Sequence, residues 1–206
     1  MSGFTELFSG RLAKLTVAIT LMNACALFAW WGFNLWVPAY LSLPAAQGGA
    51  GLSSHTMTML IIVMQIGMWL GYVTFGIASD VWGRKRSYIL YLIAAACALI
   101  AYSLTRSTAI LLLLGPAVAF FGTGHFTGLG TVTSEIYESR IRATAQGFSY
   151  NMGRLASAAA PFTVGSWAEM HGFGAAFRVT ALAFAVAAAL WTFIPETKPK
   201  VHSWAR

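Results

Sequence analysis

Charge is scarce in this sequence. Only 9% of its 206 residues are charged, against about 25% in an ordinary soluble domain, which excludes a water-soluble globular fold. Cysteine is nearly absent: Cys25 and Cys97 both fall in apolar stretches, which excludes a disulfide framework. The four histidines are scattered, no nucleophile stands at a fixed spacing from a base, and no cofactor motif occurs. The chain therefore reads as a non-enzyme, with no metal and no cofactor.

What fills the sequence instead is apolar. Hydrophobic residues make up 58% and mean hydropathy is +0.68, the composition of an all-α integral membrane protein. A spanning helix needs about 20 mostly apolar residues, and six stretches qualify: roughly Leu15–Leu41, Thr56–Ala78, Ser87–Leu104, Ala109–Val132, Ala143–Ala168 and Ala175–Ile194. The expected organisation is a cytoplasmic segment 1–14, a six-helix transmembrane domain 15–194 and a cytoplasmic tail 195–206. Too little chain remains between the spans for a soluble catalytic domain.

The net charge of +7 and pI near 9.8 do not call for nucleic acid, because the basic residues alternate by side. Arg11 and Lys14 precede the first span. Arg84, Lys85 and Arg86 follow the second, Arg140 and Arg142 the fourth, and Lys198, Lys200 and Arg206 the sixth. The other side has only Arg106 and Arg178. The positive-inside rule then puts both termini in the cytoplasm of a multi-pass protein of the plasma (inner) membrane. Arg11 and Lys14 before a Leu/Ala run also resemble the start of a signal peptide. The run continues through Trp30, Trp31 and Trp36, however, beyond an h-region of about 7–15 residues.

Polar residues inside the spans fall on faces. Asn23, Trp30 and Asn34 share one face of the first span, Gln65, Trp69 and Tyr72 one face of the second, and Gln146, Tyr150, Arg154 and Ser157 one face of the fifth. Each face reads either as the lining of a solute cavity or as a packed face with satisfied amides. Gly67 and Gly71 form a small-xxx-small pair that admits a close neighbour. His125 lies mid-span among Thr123, Thr127 and several glycines, either as a solute or proton group or as a packed imidazole. Arg154 costs several kcal/mol or more if it faces lipid. It reads either as a cation for a carboxylate solute or as a structural partner of helix-end carbonyls or Glu135. The third and sixth spans have no polar face and read as supports.

The charges at the ends of the spans oppose their own helix dipoles. Asp80 ends the second span and Glu135 the fourth, where the dipole is already negative; Arg86 opens the third and Arg142 the fifth, where it is positive. Such charges need partners on other helices. A cytoplasmic cluster of Asp80, Arg84, Glu135 and Arg142 is expected, with Gly83 supplying the tight turn. None of the six acids, Glu6, Asp80, Glu135, Glu138, Glu169 and Glu196, lies mid-span, so no carboxylate here relays a proton across the membrane.

The stretch GIASDVWGRKR, Gly76 to Arg86, resembles the cytoplasmic-loop signature of major facilitator superfamily transporters, matched at Gly76, Asp80, Gly83, Arg84, Lys85 and Arg86. Ser134–Arg154 is similar to the segment between the tenth and eleventh helices of sugar porters and organic-acid:proton symporters, with Glu138-Ser139-Arg140 where those carry a proline before the arginine. Pro195–Lys198, PETK, resembles the end of the sugar porters' twelfth helix, and Phe28–Leu41 the acid symporters' seventh. The resemblance implies the C-terminal half of the family fold: six helices as two inverted three-helix repeats, working by alternating access.

It further implies a solute site of Asn23, Trp30, Asn34, Gln65, His125, Tyr150 and Arg154. The cytoplasmic gate it implies is made of Gly76, Asp80, Gly83, Arg84, Arg86, Glu135, Arg142 and Glu196. The implied cargo is a small organic carboxylate carried with a proton, or alternatively a sugar. The implied partners are the lipid bilayer and either an N-terminal six-helix half or a second copy. A truncated or split fragment with no transport of its own is the reading from a different class.

Overall fold

A computed structural model describes residues 3–197, and within them every regular element is helical. The elements are α1 (Gly3–Glu6), α2 (Gly10–Ser42), α3 (Ser54–Trp82), α4 (Arg84–Leu104), α5 (Thr108–Gly124), α6 (Leu129–Ile136), α7 (Ser139–His171) and α8 (Phe173–Leu190). A 3-10 turn, His125–Gly128, joins α5 to α6 into one rod, and another, Trp191–Phe193, extends α8.

Five segments are long and apolar enough to cross a membrane: Gly10–Ser42, Ser54–Trp82, Arg84–Leu104, Thr108–Ile136 and Phe173–Phe193. The fifth expected span, Ala143–Ala168, lies inside α7, which has the length at 33 residues. Arg154 and a run of polar side chains leave α7 outside that apolar set. The segment expected ahead of the first span is itself helical in part, as α1 and the opening turns of α2. Of the expected tail, residues 195–197 are described; Lys198, Lys200 and Arg206 lie outside the described residues.

Short connections keep neighbours together. Gly83 alone joins α3 to α4 and Gly172 alone joins α7 to α8, both at positive φ, +100° and +82°, a region only glycine enters at no steric cost. Ser53 caps α3, its Oγ accepting from the Thr56 amide at 3.2 Å. Lipid gives helices no hydrophobic reason to associate, so close contact between small residues has to do it. A Cβ on Gly67 would stand 2.5 Å from the Pro116 carbonyl oxygen, and one on Gly71 2.2 Å from that of Phe120. The small-xxx-small pair is the seam between α3 and α5.

Contact order fixes the directions of the helices. Gly67 meets Pro116 and Gly71 meets Phe120, so α3 and α5 run parallel. Thr16 meets Tyr137, Asn23 meets Ser149 and Trp36 meets Pro161, so α2 and α7 run parallel. Tyr40 packs on Phe173 and Phe33 on Phe177, so α2 and α8 are antiparallel; Tyr102 with Phe177 and Tyr88 with Trp191 make α4 and α8 antiparallel. The main pairs are α2 with α7 and α8, α5 with α3 and α4, α3 with α4, α7 with α8, and α4 with α8. This pattern maps onto itself when α2, α3 and α4 are exchanged for α5–α6, α7 and α8. The core is aromatic at both ends: Phe33, Tyr40, Tyr102 and Phe177 at one, and stacked Tyr88 and Trp191, 4.2 Å apart, at the other.

Candidate functional site

Two polar regions stand out, a charge cluster at one end of the bundle and an open face along it. The cluster is built around Arg84, the first residue of α4. Its Nη1 donates to Asp80 Oδ1 at 2.5 Å and to Ser79 Oγ at 2.9 Å. Its Nη2 donates to Glu135 Oε1 at 3.1 Å, with Nε also turned to that carboxylate. Glu196 closes the arrangement from the far end of the chain, accepting from the Arg84 amide at 2.8 Å and the Lys85 amide at 3.3 Å. A carboxylate on the first amides of α4 satisfies unpaired donors and complements the positive end of that helix dipole. Thr197 Oγ1 donates to Glu135 Oε2 at 2.6 Å.

Gly83 is required here twice. Beyond its positive φ, a Cβ would lie 2.7 Å from Glu196 Oε2. Gly76 has open space around its Cα, and its carbonyl accepts from Ser79 Oγ. Three of the four residues expected to cluster are brought together: Asp80, Arg84 and Glu135. Arg142 is half-buried and makes no ion pair with Glu135, its Nε lying buried without a partner; Arg84 and Thr197 already occupy that carboxylate. Arg86 is exposed, beside Ile89 and Leu90. Ser79 and Thr197 were not legible as members, and neither was the capping role of Glu196, whose partner amides lie 112 and 111 residues away. At the same end, α1 is tied to α7 by the Glu6–Arg140 ion pair and by Phe4 and Phe8 against Phe148, ring centroids 5.6 and 5.3 Å away.

The open face is shared by α3 and α7. Gln65, Trp69, Tyr150 and Arg154 are exposed along it, and Tyr72 lies beside Thr123 of α5 and Tyr150 of α7. The Arg154 guanidinium sits over the Tyr150 ring, 5.9 Å from its centroid. Among the described residues it has no ion pair. A guanidinium fork beside an aromatic face suits a carboxylate on a planar apolar body.

The other expected solute residues sit deeper. Asn23 is buried, its Nδ2 donating to the Ser149 carbonyl at 3.0 Å, and it packs on Gly153. Trp30 is buried against Gly122 and Phe33. Asn34 is half-buried. His125 is buried beside Tyr88, Phe126 and Phe184, facing the Phe121 carbonyl without a well-formed hydrogen bond from either ring nitrogen. In this arrangement Asn23, Trp30 and His125 do not reach the open face that carries Gln65, Tyr150 and Arg154. A helical stripe pattern marks a face that avoids lipid, and a packed interior meets that condition as well as a cavity does.

The sequence profile described as Major Facilitator Superfamily matches residues 16–205. The chain is 30% identical over 191 residues to a Haemophilus influenzae protein named for metabolite transport, covering 91% of this chain and 45% of that one. It is 29% identical over 201 residues to the niacin transporter NiaP of Acinetobacter baylyi, covering 96% and 44%. It is 27% identical over 202 residues to a Cupriavidus pinatubonensis protein named as a 4-methylmuconolactone transporter, covering 96% and 45%. Among solved structures, a peptide transporter crystallised with sulfate superposes with a TM-score of 0.80 at 16% identity, covering 89% of this chain and 39% of that one. The chain spans less than half the length of each of these proteins.

Proposed function

The chain belongs to the major facilitator superfamily, and on that premise we propose that it is the C-terminal half of an alternating-access transporter carrying a small organic carboxylate together with a proton. Six helices cross the inner membrane, α7 being the fifth in chain order, with its polar face turned to an N-terminal half rather than to lipid. They form two inverted three-helix repeats, a reading supported by the self-mapping pattern of helix pairs. An even number of crossings leaves both termini on one side, and the basic ends make that side cytoplasmic.

The observation that carries the reading is the free guanidinium of Arg154 over the Tyr150 ring on a helix long enough to span. A charge there is tolerated only against protein or water and marks a solute path by default. Gln65 and Asn34 add hydrogen-bonding groups, while Asn23, Trp30 and His125 back the site from within. Relatives named for niacin, cis,cis-muconate and gentisate transport support a carboxylate-bearing cargo. The proton is held in the other half, since no acid in this half lies mid-span. Asp80, Gly83, Arg84, Glu135 and Glu196 form the cytoplasmic gate, holding the inner ends of α3, α4, α6 and α8 together until rocking separates them. Gly76, Arg86 and Arg142 flank it.

The exposed polar face also favours a second reading, in which the chain moves nothing by itself. Reconstituted vesicles test both. Proton-driven uptake of a carboxylate panel is measured with this chain alone and with an N-terminal six-helix half supplied alongside. Uptake only with both halves is expected; uptake by neither preparation would leave the chain a remnant without transport.

A further inference from the structure

Between the start of α2 and the end of α8 two hollows adjoin. The one nearer the charged end, about 260 Å³, is lined by Arg11, Lys14 and Lys85 together with carbonyl-bearing backbone of Thr192–Pro195, and no acid lines it. The next, about 430 Å³, shares Lys14 and Phe193 and is otherwise walled by apolar side chains, Val17, Ala18, Leu21 and Leu190 among them. On α2 the residues Arg11, Lys14, Ala18 and Leu21 follow one another at helical spacing, so a single stripe passes from cationic to apolar as it enters the bundle. The result is a slot with a positive head and a greasy outer wall.

We propose that this slot binds one anionic phospholipid, its phosphate held by Arg11 and Lys14 and an acyl chain laid along Val17, Leu21 and Phe193. Both cations are exposed and, among the described residues, neither makes a hydrogen bond or ion pair, so their donors are available. Lys85 does a different job. Its Nζ donates to the carbonyls of Thr192 at 3.1 Å and Ile194 at 3.0 Å, which cancels the negative end of α8 that would otherwise repel a phosphate. Three acids, Glu135, Glu138 and Glu196, line an adjoining hollow of about 600 Å³ that shares Arg11, Leu15 and Pro195 with the upper one but neither of the lysines. Glu135 and Glu196 are already engaged by Arg84 and the first amides of α4. Basic pockets between membrane helices suit anionic headgroups. The apolar groove running on from the pocket argues for a lipid over free phosphate, which would use only the upper hollow. The inference rests on α2 and α8 crossing the bilayer, as proposed above.

Native mass spectrometry of the full chain, stripped of lipid and titrated with dioleoyl phosphatidylglycerol or dioleoyl phosphatidylcholine in detergent, tests it. Phosphatidylglycerol should bind one per chain in preference to phosphatidylcholine. Arg11→Gln and Lys14→Gln should each weaken it about fivefold, and Val17→Trp should weaken it with no change of charge. Arg86→Gln, which removes a cation at the same end but outside the slot, should leave it unchanged, and millimolar inorganic phosphate should not displace it. Equal binding of the two lipids, an Arg86→Gln loss as large as that of Arg11→Gln, or displacement by phosphate with no effect of Val17→Trp would overturn the site. Detergent has no sidedness and no transport is read, so this result stands apart from the fate of the transporter reading.

Discussion

Arg84 Nη2 donates to Glu135 Oε1 across 3.1 Å, although 51 residues separate the two in the chain. Their side chains are 10% and 15% exposed, while Asp80, the second acid on the same guanidinium, is 70% exposed. One arginine therefore holds a sheltered partner on another helix and a solvated one on its own. The sheltered contact joins α4 to α6, and its removal leaves a charge short of compensation where water is scarce.

Replacing Glu135 with Gln should therefore cost more than replacing Asp80 with Asn: about 1–3 kcal/mol for the first and under about 1 kcal/mol for the second. Thermal unfolding of the two variants in one detergent compares them directly. Equal midpoints would mean that the two carboxylates share the guanidinium on equal terms.

The two glycines that frame the signature should behave in opposite ways. Gly83→Ala meets both a φ of +100° and a Glu196 oxygen 2.7 Å from the new Cβ, and should destabilise by about 1–3 kcal/mol. Gly76→Ala enters a helix with nothing within 4 Å, and should be neutral or stabilising by up to about 1 kcal/mol. A chemical denaturation series on both decides it; a tolerated Gly83→Ala would contradict the described turn.

Along the helix seam, Gly71→Ala drives a methyl to 2.2 Å from the Phe120 carbonyl oxygen, whereas Gly147→Ala on α7 meets open space. The first should lose about 1–3 kcal/mol from forced separation of α3 and α5, and the second essentially nothing. Protease sensitivity of the folded chain, read as a half-life at fixed temperature, provides the check.

Much of this was legible in the sequence, for identifiable reasons. Asp80 and Glu135 sit at the wrong ends of their own helices, so a partner elsewhere was implied, and Arg84 supplies it. Gly67 and Gly71 mark a close seam because small residues are what bring helices together in lipid. Arg142 was expected in the cluster on the same dipole argument, but that argument gives the need for a partner and not its identity. Glu196 as the cap of α4 depends on a contact across more than a hundred residues, which no local pattern encodes. The stripes mark which residues share a helix face and are silent about depth. On that account Asn23 and Trp30 belong to packed interfaces, while Tyr150 and Arg154 remain on the open face. α7 falls outside the apolar set because Arg154 and the polar residues that share its face lower its hydropathy.

The most direct test of the central claim is carboxylate uptake by the two-half vesicles with and without Arg154. Arg154→Gln should cut uptake of a monocarboxylate at least tenfold, as expected for loss of a charged hydrogen-bond donor worth about 1.5–3 kcal/mol, with Arg154→Lys retaining part of it and uptake of a neutral analogue unchanged. Equal loss of carboxylate and neutral solute would make Arg154 a structural residue and contradict the carboxylate site.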